Sequence, residues 1–83
     1  MAQDRRKLFS KPVTIRLGAD VVEIAAVNDA EERLANVDWP ERGPRHRDAH
    51  ETCLKVLDGH RSTEDARREF VEAAREAGVL VGS

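Results

Sequence analysis

His46, His50 and Cys53 stand at i, i+4 and i+7 in a chain of 83 residues that carries three histidines and one cysteine in all. On an α-helix that spacing stacks the three side chains along one side, and imidazole nitrogen and thiolate sulfur are the donors that zinc prefers. Geometry limits what they could hold. Residues seven positions apart on a straight helix are separated by about 10 Å of axis, whereas zinc needs each ligand within about 2.0–2.3 Å. At best two of them belong to one site, completed by His60, an acid or a second subunit. The competing expectation puts both histidines along the margins of a buried helix face, rings packed and polar tips outward. Cys53 then sits at the centre of that face as a small apolar residue. A cysteine nucleophile is disfavoured further, because mid-helix burial raises a thiol's pKa and His50 has no evident orienting partner. His46, His50 and Cys53 are therefore metal candidates only; no catalytic residue is assigned and no cofactor is expected.

A second group surrounds Gly43-Pro44. Arg42, Arg45 and Arg47 flank what reads as a helix start, and a helix N-terminus with arginines can hold a phosphate or carboxylate. These three are the candidate ligand-binding residues. Asp38, Glu41 and Asp48 lie among them, so a solvated surface of mixed charge competes with that reading. No glycine-rich phosphate loop, HExxH or GxSxG motif is present.

The elements that must position these groups are legible in order. Residues 1–11 read as a flexible basic arm, through Arg5, Arg6 and Lys7, with Phe9 tacking it to the body. From Pro12 to Leu17, Val13, Ile15 and Leu17 alternate with Thr14 and Arg16, which predicts a half-buried strand with Pro12 at its first position. Gly18-Ala19-Asp20 is a turn signal and Val21–Val27 a second β-rich run, so an antiparallel hairpin follows. Asn28 is the expected N-cap of a first helix, with Ala30, Leu34 and Val37 on its apolar stripe. That helix must end before Trp39-Pro40, and Trp39 is expected to plug the core there.

Pro44 opens a second helix whose apolar face is Ala49, Cys53, Val56 and Leu57, with Leu54 at the edge and Gly59 as the stop. Ser62 caps a third helix, with Asp65 at the capping-box position and Ala66, Phe70, Ala73, Ala74 and Ala77 as a small-residue stripe. Gly78 ends it, and Val79-Leu80-Val81 predicts a short third strand on the hairpin edge. The expected fold is one α+β domain over residues 12–83: an N-terminal antiparallel hairpin, a possible third C-terminal strand, and three helices packed on one face.

Bulk properties narrow the function classes. A chain this short forms one domain, and 40% hydrophobic with 36% charged residues fits a globular chain with an ionised surface. The net charge of −2 argues against a dedicated nucleic-acid binder. No apolar run is long enough to span a bilayer, no secretory h-region follows the N-terminus, and a lone cysteine makes no internal disulfide. These features point to a cytoplasmic protein without membrane attachment.

Pro12-Val13-Thr14-Ile15, Trp39-Pro40, Gly43, Ala49-x-x-x-Cys53, Gly59, Ala66-Arg67, Phe70, Ala73-Ala74 and Ala77-Gly78-Val79 together resemble a small family. Its members are chains of about this length from rhizobia and related alphaproteobacteria, known as a domain of unknown function (number 982). The resemblance covers nearly everything after the arm; it implies a fold and a bacterial source, and carries over no catalytic or binding residue. Taken with the residues, the leading functional expectation is a non-catalytic interaction or regulatory module, self-associating as a homodimer or binding an unidentified protein partner. The alternative is a small-ligand or anion-binding domain using Arg42, Arg45 and Arg47. A metal-dependent function through His46, His50 or Cys53 ranks third.

Overall fold

Val13 and Ile15 are completely buried while Arg16 beyond them is exposed, and this alternating stretch is the middle of a three-stranded antiparallel sheet. A computed structural model describes residues 7–83. The elements are β1 (Leu8–Leu17), β2 (Asp20–Ala26), α1 (Val27–Ala35), α2 (Pro44–Leu57), α3 (Thr63–Glu76) and β3 (Leu80–Gly82). Sheet order is β2-β1-β3, with β1 antiparallel to both neighbours. This is the expected α+β arrangement: a hairpin, a short third strand beside it, and three helices. The core joins Val13, Ile15 and Ile24 of the sheet to Leu34, Cys53, Val56 and Phe70 of the helices.

β1 begins at Leu8, earlier than the expected start at Pro12, so residues 8–11 belong to the sheet and not to an arm. Residues 1–6 of that arm lie outside the described residues. The physical reason is Phe9, which is buried in the core and needs backbone pairing to hold it there. Between the pairs Leu8↔Ala26 and Val13↔Ile24, β1 gains surplus residues relative to β2. The surplus is taken up as a bulge that leaves Ser10, Lys11 and Pro12 exposed while Phe9 and Val13 both face inward. Pro12 is tolerated there, rather than at a strand's first residue.

At the other end of the hairpin, Leu17 pairs with Asp20 around the two-residue turn Gly18-Ala19. Gly18 alone takes a positive φ of 63°, the pattern of a type II′ turn with glycine first.

α1 follows β2 without a loop, and this displaces two expectations. Its N-cap position is Ala26, whose methyl group cannot cap; the Val27 N–H is met instead by Lys7 O at 2.8 Å as the sheet runs into the helix. Asn28 therefore does not cap; its Oδ1 accepts from the Lys7 N–H at 3.2 Å. The buried stripe is Val27, Ala30 and Leu34, and Val37 is 89% exposed rather than part of it. The helix has ended at Ala35, and Asn36 organises the turn beyond: its Oδ1 accepts from the Asp38 N–H and its carbonyl from the Trp39 N–H. That turn rotates Val37 outward and Trp39 inward.

α2 and α3 start and stop as their local signals dictate. Pro44 occupies the first turn of α2. After it Gly59, at φ 84°, allows His60 N–H to reach Lys55 O and Gly59 N–H to reach Val56 O, a Schellman termination. Ser62 Oγ accepts from the Asp65 N–H at 3.1 Å at the start of α3. The Asp65 carboxylate does not return the favour as a capping box would. It binds Arg61 at 3.1 Å and Arg68 at 2.6 Å, and these hydrogen bonds, Arg61 first, hold its carboxyl down to about 2.

Candidate functional site

The joint between α1 and α2 collects His46, His50 and the arginine-rich helix start, while His60 lies exposed beyond the far end of α2. His46 and His50, one turn apart on α2, both point at α1. His46 Nε2 lies 2.6 Å from Leu34 O and His50 Nε2 3.0 Å from Glu31 Oε2. Leu34 stands in the last turn of α1, where helix carbonyls lack intrahelical partners. His46 thus supplies a donor to the C-terminus of α1 as the Nε2–H tautomer. Its polar tip is directed inward, against the expectation that both histidines turn their tips to solvent. A residue 7% exposed beside an orphan carbonyl gains more from that bond than from the rim. His50, half-buried, follows the expected margin position more closely.

Cys53 is completely buried. Burial first, and the neighbouring Glu31 carboxylate second, push its thiol up to about 12. That is the opposite of what a nucleophile or a metal ligand requires. Ellman's reagent at pH 8 should leave the folded chain unmodified and titrate one thiol per chain only after denaturation; fast labelling of the folded chain would contradict this burial. Among the described residues, no three His, Cys, Asp or Glu side chains come together in a way that could hold a metal ion.

The arginine-rich helix start is also assembled, and it is occupied by the chain itself. Glu76, in the last turn of α3, accepts from the Arg45 N–H at 3.2 Å through Oε2 and from the His46 N–H at 3.3 Å through Oε1. A carboxylate bridging two free amides at a helix N-terminus is the arrangement an external phosphate or carboxylate would adopt. Gly43 makes room for it: a Cβ there would lie 2.7 Å from Glu76 Oε2. Of the three candidate arginines, Arg42 and Arg47 line a shallow depression with Gly43 and Pro44. Arg42 Nη2 donates to Asn36 O at 2.6 Å. The Arg45 and Arg47 side chains are exposed.

Glu76 was not legible as a site residue, being 31 positions from its main partner. One signal could have marked it: a carboxylate in the last turn of a helix opposes that helix's own dipole, so it must be stabilised from elsewhere. Trp39 plugs the joint as expected, 3% exposed, with its ring centroid 5.7 Å from Phe70 and 6.3 Å from His46. Its Nε1–H has no acceptor among the described residues.

Among the described residues no helix is long and apolar enough to cross a membrane. No curated protein and no solved structure matches the chain. A family model matches residues 11–81, nearly the whole sequence, and on that match the chain belongs to the family described as "protein of unknown function (DUF982)".

Proposed function

We propose that the chain is a non-catalytic interaction module of the cytoplasm that self-associates. The observation that carries this reading is the sheet's uncovered side. The helices cover one face, and on the other Val21 of β2, opposite exposed Arg16, and Val81 of β3 are 57% and 53% exposed. Exposed apolar side chains on an open sheet face, beside a β2 that stands at the sheet's edge, favour association. The small-residue stripe of α3, a second possible contact surface, is spent inside the core, where Ala66, Ala73 and Ala74 are completely buried.

The groups that could have supported chemistry serve the fold instead. His46 and His50 join α2 to α1, Cys53 is shut in, and Glu76 fills the helix start at which an anion would dock. An anion-binding role for Arg42, Arg45 and Arg47 would require the ligand to displace that carboxylate.

Sedimentation velocity over a micromolar to millimolar concentration series tests the proposal. The expected result is a reversible monomer–dimer equilibrium; a strict monomer across the whole range would remove it.

A further inference from the structure

We propose that the docking surface is the free edge of β2, and that its occupant is a second copy of this chain paired antiparallel about a two-fold axis at Val22. The inference rests on the self-association reading and says where the contact lies. In a two-residue hairpin the residues flanking the turn exchange hydrogen bonds, and the pairs then alternate along the ladder. Leu17↔Asp20, Ile15↔Val22 and Val13↔Ile24 are therefore the bonded pairs, and Arg16↔Val21 and Thr14↔Glu23 are not. One bond checks this phase: Arg16 N–H donates to Val79 O at 2.8 Å, on the side of β1 away from β2. It follows that Val21, Glu23 and Ala25 direct their N–H and C=O groups outward. None of these groups finds a partner among the described residues.

The remaining sheet margin is guarded, and this one is open. β3 has three residues. The stretch of β1 beyond it carries Lys11-Pro12 in a bulge, and Arg67 Nε donates to Lys11 O at 2.8 Å. Proline, lysine, bulges and covering side chains are the usual protections of a sheet edge. β2 has seven residues with no proline, lysine or bulge of its own. Its first half borders an open groove of about 680 Å³ between Val21, Val22, Arg33 and Asp38, which leaves space for an added strand.

Charge selects the register. An axis at Glu23 would form the most hydrogen bonds, but it sets the two Glu23 carboxylates directly opposite each other, a destabilising cross-strand pair. Moving the axis to Val22 forgoes one reciprocal pair of bonds and places each Glu23 opposite Val21 of the second copy. Arg16 flanks that same valine from β1, so a guanidinium and a carboxylate meet across it on the open face. The contact is isologous and closes on itself, giving a six-stranded sheet in the order β3-β1-β2-β2-β1-β3.

The test combines Glu23→Pro with amide hydrogen exchange on the unaltered chain. Proline at position 23 removes an N–H that β1 does not use, so the fold should survive. The dimer should weaken by at least about tenfold, through loss of both Glu23 donors. In the unaltered chain, the Val21 and Glu23 amides should gain protection as concentration rises through the dimerisation range, while Ala25 should not. A folded Glu23→Pro chain that dimerises as before would overturn the edge assignment. If that variant does not fold, exchange decides: a dimer with Val21 and Glu23 unprotected equally removes it. Protection reaching Ala25 overturns the Val22 axis in favour of one at Glu23. A chain that stays monomeric throughout removes the self-association reading itself, which is a different result from a dimer built elsewhere.

Discussion

A Phe70→Ala variant unfolds at a much lower urea concentration than the native chain, with a loss of about 3–5 kcal/mol. Phe70 is the largest completely buried side chain among the described residues. Ala66, Ala73 and Ala74, three or four positions from it on its own helix, are completely buried too and cannot expand into the space it would vacate. Small neighbours make the cavity term large, because collapse would require backbone movement rather than a change of rotamer. The same deletion strips Trp39 of its ring neighbour at 5.7 Å. At roughly 0.05–0.15 kcal/mol per residue, a chain of this length holds about 4–12 kcal/mol of total stability, so the loss is a large share of it. The measurement is a urea titration followed by tryptophan fluorescence and far-ultraviolet circular dichroism. The expected midpoint falls steeply with an unchanged slope. A shift below about 1 kcal/mol would mean that the helices close over the gap, and that Phe70 does not anchor the core.

How Phe70 came to be legible shows what local patterns can carry. Its stripe on α3, the Ser62 cap, Pro44 at the start of α2 and Gly59 at its end are all set by residues within a few positions of one another. Helical period and cap chemistry report such features directly. The hairpin is similar, since alternation and Gly18 lie inside one short segment. What escaped was set by partners distant in sequence. The bulge in β1 exists because Phe9 must reach a core built mostly by later residues, and no alternation announces it. Asn28 looked like an N-cap because its type and the acids after it fit one. The first backbone donor at that end was already taken by Lys7 O, and the Asn28 side chain was left to accept from the Lys7 N–H.

The candidate site divides along the same line. The arginines around Gly43-Pro44 were visible as a possible anion site. The anion itself, Glu76, comes from the far end of another helix. His46 and His50 were visible as one side of a helix. Which of them faces an unpaired carbonyl depends on where α1 stops, and that in turn depends on the turn made by Asn36.

The stop of α1 is what a His46→Leu variant should disturb. The imidazole ties together the ends of two helices: its ring caps Leu34 O, and its backbone N–H is held by Glu76. Leucine keeps apolar bulk against Trp39 but donates nothing. The Leu34 carbonyl, whose bond to the ring is buried, then loses its side-chain partner at a cost of about 1–3 kcal/mol. The backbone bond to Glu76 survives the substitution, so the damage should be local to α1 and the Asn36–Trp39 turn. Urea melts give the total loss. Hydrogen exchange should show amides near the C-terminus of α1 opening well before those of α3. His46→Gln separates the capping bond from simple packing, because its side-chain amide can still donate toward the carbonyl. It should recover a good part of the loss while filling the space less well than leucine. If leucine proves neutral, or glutamine is worse than leucine, the hydrogen bond to Leu34 contributes nothing to stability. The histidine would then be held at the joint by packing against Trp39 alone.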